Sequence, residues 1–210
     1  MKFTIITGPG RTGTSALTKF FITSKKFNID SSDYIPKMSA GYESNNSALA
    51  NFCYNSGKIF DSAISQGDNF ANKVVSNYNL IKSPTFFYIP DSYQQWNRMA
   101  KVHNGIQVIL TKRDNPENII KSAERINLRD SDWKYLEDVD KINEMWNENI
   151  EVLENLQIPY TTMDFPTFVG DANYLNERLK MLDFHQNNFT IEEVINLSNK
   201  IFDLRKINII

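Results

Sequence analysis

The amino terminus passes from a short apolar run into a glycine-rich turn and then into a helical pattern. Residues Phe3 to Thr7 are all β-branched or aromatic, which predicts a buried strand. The turn Gly8-Pro9-Gly10-Arg11-Thr12-Gly13-Thr14-Ser15 follows directly, and Thr14 to Thr23 carries apolar residues at helical spacing. The first N–H groups of a helix have no acceptor within the helix, and the helix dipole adds positive charge there. This order of elements therefore predicts an anion-binding loop.

The residues of the loop indicate which anion it binds. Gly8, Gly13 and Ser15 fit the pattern G-x-x-x-x-G-K-[ST], but Thr14 stands where a nucleotide triphosphatase has lysine. The cation lies instead within the loop, as Arg11. Such a loop suits a shorter anion than a magnesium triphosphate. Three glycines let the backbone approach an anion closely: Gly8, Gly10 and Gly13. Three side chains add hydroxyl groups: Thr12, Thr14 and Ser15.

The rest of the chain alternates short strands with helices. The pattern predicts further strands at Leu80-Ile81, Ile106–Thr111 and Tyr160–Met163. It predicts helices over residues 47–66, 95–102, 116–126, 133–156, 165–181 and 191–202, and irregular structure over 28–46. This alternation is typical of an α/β protein. We expect one domain over residues 1–210, with a P-loop-like three-layer fold in which helices flank a mostly parallel central sheet.

Composition excludes several classes of function. The formal net charge is −2, which argues against bulk nucleic acid as the main partner. Cys53 is the only cysteine, so no internal disulfide forms and a reducing compartment is the simplest location. No long apolar stretch predicts a signal peptide or a membrane span, so we expect a cytoplasmic protein without a membrane partner. One cysteine and two scattered histidines give no metal-ligand spacing.

Four segments resemble sulfotransferases that use 3′-phosphoadenosine 5′-phosphosulfate (PAPS). The first loop resembles their 5′-phosphosulfate loop, especially the bacterial type that reads Arg-Ser-Gly-Thr-Ser-Ala-Leu. Gly41-Tyr42-Glu43 resembles a Gly-Tyr-x-Glu segment, and Ile81-Lys82-Ser83-Pro84 resembles a Lys-[Asp/Ser]-Pro element. Val108 to Ser122 resembles the strand, loop and helix that bind the 3′-phosphate, with Arg113 and Ser122 at the matching positions. The family usually reads Arg-Asp-Pro, whereas this chain has one residue more, Asn115.

The resemblance implies roles for these residues in a metal-independent transfer of a sulfuryl group. Arg11 and the loop from Gly10 to Ser15 would hold the 5′-phosphate of PAPS, and Arg113 and Ser122 would hold the 3′-phosphate. The product would be 3′-phosphoadenosine 5′-phosphate. Glu43 is the candidate general base, or else a loop or capping glutamate. Lys82 would support the leaving phosphate or the acceptor, or else is a solvated lysine at a strand end.

Several interpretations stay open at this point. The acceptor would be a hydroxyl or amine on a small molecule, a glycan, a lipid or a peptide, and its identity is not encoded in any motif. One alternative is a P-loop kinase with Asp164 as the group that holds magnesium, although the threonine at position 14 counts against it. Another is a catalytically inert nucleotide-binding module. Basic residues at 121, 125 and 129 recur every four positions and are most simply a solvated helix face.

Overall fold

The computed structural model describes residues 2–28, 34–37, 41–44, 79–82, 105–125, 138–184 and 188–202, with the helical positions 87, 97 and 100. For residues 34–37, 41–44 and 125 only the backbone is described. The strands are β1 (Phe3–Thr7), β2 (Tyr34–Lys37), β3 (Gly41–Ser44), β4 (Leu80–Lys82), β5 (Ile106–Arg113) and β6 (Tyr160–Phe165). The helices are α1 (Thr14–Ser24), α2 (Glu117–Arg125), α3 (Val139–Asn155), α4 (Thr167–Gly170), α5 (Ala172–Lys180) and α6 (Ile191–Ile201).

Four of the strands form a parallel sheet in the order β4-β1-β5-β6. The register places Ile5 beside Ile81 on one side and Val108 on the other. β2 and β3 form a separate antiparallel pair, with Lys37 opposite Gly41. Because parallel strands point the same way, the loops that follow β1, β4 and β5 leave the sheet at one edge. Ligands of open α/β sheets bind at this carboxyl edge.

Both faces of the parallel sheet are covered, which confirms the predicted three-layer α/β class. Ile6 and Ile109 pack on one face with apolar side chains of α1, α5 and α6. Ile5 and Val108 point to the opposite face, where they pack against α3. Successive residues of a strand point to opposite faces, so strands buried on both sides read as nearly continuous apolar runs. This is why β1 and β5 were recognisable in the sequence.

Two predicted helices are wrong at their boundaries. The helix predicted over 133–156 begins at Val139, because the Asp138 carboxylate accepts hydrogen bonds from Asp140 N and Lys141 N and caps it. The helix predicted over 165–181 is instead the end of β6 followed by α4 and α5. Asp171 separates these two helices and caps α5 in the same way. An aspartate at these positions favours the N-cap over the helix interior.

The irregular structure predicted over 28–46 is also wrong in part, because β2 and β3 lie within it. Short strands of this kind depend on pairing with each other, which local composition does not reveal. The helix predicted over 47–66 lies outside the described residues, as do most of the helix at 95–102 and residues 133–137. The helices α1, α2 and α6 confirm the predictions at those places. None of the described helices has the length and apolar character needed to cross a bilayer.

Candidate phosphate-binding site

The loop between β1 and α1 is held tightly against β5. Gly8 has a φ of 148°, and a Cβ there would come within 2.5 Å of the Thr111 carbonyl oxygen on the neighbouring strand. Gly13, at the N-cap of α1, has a φ of 82° in the left-handed region that favours glycine. Both glycines are thus required, by their backbone conformation and by the close approach of neighbouring atoms.

The first turn of α1 presents backbone donors at the carboxyl edge of the sheet. Leu17 N donates to Gly13 O at 3.0 Å, which is the hydrogen bond that begins the helix. The N–H groups of Thr14, Ser15 and Ala16 precede it and have no acceptor within the helix. No side chain caps α1, whereas aspartate or threonine side chains cap α3, α5 and α6. This terminus therefore offers the donors that an anion needs.

The hydroxyl of Thr12 stabilises the loop from within. Thr12 is fully buried, and its Oγ1 donates to the Pro9 carbonyl. The same oxygen lies 2.6 Å from Thr111 Oγ1, which in turn donates to Thr7 O at 3.2 Å. The loop pattern had placed the Thr12 hydroxyl among the anion ligands. The structure instead uses this hydroxyl within the loop, and it adds Thr111 as a supporting residue that no motif had indicated.

Arg11 joins the loop to the β5–α2 segment. Arg11 Nε donates a hydrogen bond of 2.8 Å to Ser122 Oγ on α2. Arg113 Nη1, at the end of β5, donates to the backbone oxygen of Arg11 at 3.2 Å. The predicted 5′-phosphate element and the predicted 3′-phosphate element are therefore in direct contact, although 111 positions separate Arg11 from Ser122 in the chain.

The charge of Arg11 is only partly solvated. Burial lowers the pKa of its guanidinium, which still stays protonated at any physiological pH. Within the described segments, the ion pairs are Lys26 with Glu193 and Lys121 with Glu117, and neither involves Arg11. A part-buried cation is unfavourable unless an anion or hydrogen-bond acceptors compensate it. The position of Arg11 is therefore suited to a bound anion.

Lys82 lies against the first turn of α1. It is the last residue of β4, it is only 3% exposed, and its Nζ donates to Ser15 Oγ at 2.8 Å. The alternative of a solvated lysine is therefore wrong. The strand order explains the contact, because β4 is the neighbour of β1 and both strands end at the edge where α1 begins. A buried ammonium thus lies beside the backbone donors of the loop.

Phe165 supports Arg113 and the loop together. Arg113 is buried, and its guanidinium carbon lies 5.4 Å from the centre of the Phe165 ring. The same ring packs so closely on Gly13 that a Cβ there would be 2.9 Å from Phe165 Cγ. Cation–π contact of this kind favours one orientation of the guanidinium. Phe165 was not predicted from the sequence, because its role depends on β6 lying beside β5.

The additional residue before α2 lies in the connecting loop, as expected. Asn115 Oδ1 accepts a hydrogen bond from Glu117 N at 2.9 Å, and the helix begins at Glu117. Ser122 then lies on α2, where its hydroxyl reaches Arg11. The additional residue therefore leaves Arg113 and Ser122, the predicted 3′-phosphate residues, in contact with Arg11 of the loop. Lys121, beside Ser122, is exposed and lies 3.8 Å from Glu117 in a surface ion pair, as a solvated position should.

Two further candidates, Glu43 and Asp164, lie on the strands β3 and β6. Glu43 is on β3 opposite Ile35, and β3 contacts α1 and β4, but its side chain is outside the described residues. Asp164 Oδ2 accepts a hydrogen bond of 2.8 Å from the Tyr174 hydroxyl, on the edge strand β6. β5 separates that strand from β1. In the described part of the chain, no three His, Cys, Asp or Glu side chains are grouped to hold a metal ion.

Comparison with known proteins gives distant structural likenesses. A sulfotransferase domain from the curacin biosynthetic pathway is 12% identical, with 92% of this chain and 82% of that chain covered and a TM-score of 0.43. A GTPase in its apo form from Pyrococcus abyssi is 13% identical, with 93% and 84% covered and a TM-score of 0.38. These scores are too low to carry an argument about activity. No family model and no curated protein sequence matches the chain.

Proposed function

We propose that this chain is a metal-independent sulfotransferase that uses PAPS and a hydroxyl or amine acceptor. The observation that carries the proposal is the contact of Arg11 with both Ser122 and Arg113. It brings two predicted phosphate-binding elements together at the carboxyl edge of the sheet. PAPS carries a 5′- and a 3′-phosphate on one ribose, so its two anionic groups are close to each other and match paired elements.

The residues present fit such a ligand. The uncapped turn of α1 offers backbone N–H groups. Arg11 is a part-buried cation, and it forms no ion pair with any carboxylate among the described residues. Arg11, Lys82 and the N–H groups from Thr12 to Ser15 would hold the 5′ end. Arg113 and Ser122 would hold the 3′-phosphate. Arginine suits this role because its planar fork binds two phosphate oxygens at once.

Bound PAPS supplies an activated sulfuryl group, whose sulfur forms a bond to the acceptor as its bond to the 5′-phosphate oxygen breaks. The chain must hold donor and acceptor in line and stabilise the charge that develops on the leaving phosphate. Lys82 and Arg11 would perform the second task, and their contacts with Ser15 and Ser122 beside the loop support this role. The proton of the acceptor must pass to a base, for which Glu43 stays the candidate.

Two features favour this reaction over phosphoryl transfer from Mg-ATP. Thr14 occupies the position of the lysine that contacts the β- and γ-phosphates in a P-loop enzyme. Asp164, the candidate magnesium ligand of a kinase, lies on the edge strand β6, where its carboxylate instead accepts a hydrogen bond from the Tyr174 hydroxyl. Neither feature distinguishes an active transferase from an inert module, which requires a measurement of turnover.

The proposal is tested by calorimetric titration of the purified chain in EDTA. We expect 3′-phosphoadenosine 5′-phosphate to bind more tightly than AMP, and we expect PAPS to be consumed when a panel of hydroxyl and amine acceptors is added. Lys121→Met is the matched control, because it removes an exposed charge next to Ser122 and should leave affinity unchanged. In a parallel titration with excess Mg²⁺ and no EDTA, binding of Mg-ATP without binding of 3′-phosphoadenosine 5′-phosphate would favour the kinase. Nucleotide binding without turnover across the panel would favour the inert module.

A further inference from the structure

We infer that Arg11 is the residue that selects a nucleotide with phosphates at both the 5′ and the 3′ position. The inference rests on the proposed function and deepens it. The sequence pattern assigns Arg11 to the 5′-phosphate alone and assigns Ser122 and Arg113 to the 3′-phosphate. The structure does not keep these roles apart, because Ser122 and Arg113 both contact Arg11.

The side chain of Arg11 reaches across from the loop to α2. Its Nε donates to Ser122 Oγ at 2.8 Å, so the guanidinium lies beside the hydroxyl that would hold the 3′-phosphate. A guanidinium has five donors in a planar fork, and the bond to Ser122 uses the one on Nε. The donors on the two terminal nitrogens can serve phosphate oxygens. Arg11 itself belongs to the loop that would hold the 5′-phosphate.

The backbone of Arg11 is fixed in the conformation that permits this reach. Its φ of 70° is in the left-handed region, which residues other than glycine seldom adopt. Arg113 Nη1 donates to the carbonyl oxygen of the same residue at 3.2 Å. Arg113 is in turn placed over the Phe165 ring. The arginine of the loop is therefore positioned from β5, the strand that leads to the 3′-phosphate element.

Lysine at position 11 could not contact both the 5′-phosphate and the 3′-phosphate as arginine would. An ammonium is a compact charge at the end of a flexible stem, whereas the fork can keep one donor on Ser122 and direct others at a phosphate. We therefore expect Arg11→Lys to retain the charge and lose recognition at both positions. Loss of one charge-assisted hydrogen bond typically weakens binding by about 10- to 100-fold.

The experiment compares three ligands in EDTA by calorimetry: 3′-phosphoadenosine 5′-phosphate, adenosine 5′-monophosphate and adenosine 3′-monophosphate. For Arg11→Lys we expect affinity to fall by about 10-fold or more for both monophosphates. Ser122→Ala should weaken the two ligands with a 3′-phosphate more than it weakens adenosine 5′-monophosphate. Lys121→Met should change none of them. Arg11→Gly, which suits the left-handed backbone, is the second variant if Arg11→Lys does not fold.

The outcomes separate the inference from the proposed function. If Arg11→Lys weakens binding of the 5′-monophosphate and leaves the 3′-monophosphate unchanged, Arg11 serves one phosphate and the inference is wrong, while the proposed function stands. If the unmodified chain binds the bisphosphate no more tightly than the 5′-monophosphate, both are wrong. Circular dichroism and thermal unfolding of each variant show that a lost affinity is not a lost fold.

Discussion

Gly13, the N-cap of α1, connects the stability of the fold to the shape of the loop. Its φ is 82°, a region in which an L-residue costs about 1–2 kcal/mol. A Cβ at this position would also lie 2.9 Å from Phe165 Cγ and 2.9 Å from Phe168 Cζ. Overpacking of this kind costs about 1–3 kcal/mol. We therefore expect Gly13→Ala to lower the free energy of unfolding by about 2–5 kcal/mol.

Two other glycines separate the two contributions. Gly105 has a φ of 73°, and a Cβ there would meet no atom of the described residues within 4 Å, so Gly105→Ala should cost only the backbone contribution of about 1–2 kcal/mol. Gly170 also has open space and no left-handed φ, so Gly170→Ala should be neutral or slightly stabilising. Urea denaturation measures the free energy of unfolding of all three glycine-to-alanine variants. If Gly13→Ala costs no more than Gly105→Ala, the contact of Gly13 with the two phenylalanines does not constrain the loop and the reasoning fails.

Three further predictions concern the fold around the site. Gln107 is fully buried, and its side-chain amide donates to Thr4 Oγ1 at 2.9 Å. Gln107→Leu should therefore lower the free energy of unfolding, measured by urea denaturation, by about 1–3 kcal/mol. An unchanged midpoint would contradict this. Thr190 forms a capping box with Glu193, and Thr190→Ala should cost about 1 kcal/mol in the same assay, whereas no change would mean that α6 does not depend on its cap. The Lys26 ammonium, at 2.8 Å, lowers the pKa of the Glu193 carboxylate in the folded chain. This carboxylate therefore stabilises the fold above its unfolded pKa of about 4.3, and the contribution is lost as pH falls through the folded pKa. Thermal unfolding should show Glu193→Gln to be less stable than the original chain near pH 7 and equal to it once the pH is below the folded pKa of Glu193, and an equal loss at both would rule out the ionised carboxylate as the cause.

The elements that were predictable from the sequence are those whose signal is local. β1 and β5 are continuous apolar runs, and α1 and α2 begin directly after a glycine or proline signal. The two helix boundaries that were wrong had a local signal as well, because Asp138 and Asp171 are favourable N-cap residues. The amphipathic pattern continued past both, which concealed them. The β2–β3 pair had no comparable signal, since each strand is defined by its partner.

The composition of the site was more predictable than its connections. The loop, Lys82 and the β5–α2 segment were each found from their own residues, but nothing in the sequence states that Arg11 touches Ser122. That contact follows from strand order. β1 lies between β4 and β5, so the segments after all three strands meet at one edge although long stretches of chain separate them. Phe165 joins them because β6 is the other neighbour of β5.

The same strand order concentrates positive charge in a chain whose formal net charge is −2. Lys82 comes from β4, Arg11 from the loop after β1, and Arg113 from β5, and the uncapped turn of α1 lies among them. A basic composition therefore does not explain the cluster, since acidic residues outnumber basic ones overall. Like charges held in a partly buried place raise the free energy of the folded chain, and an anion lowers it again. Under the proposed function, recognition of two phosphates on one nucleotide would account for this concentration of charge, and the three-ligand titration of Arg11→Lys tests that connection directly.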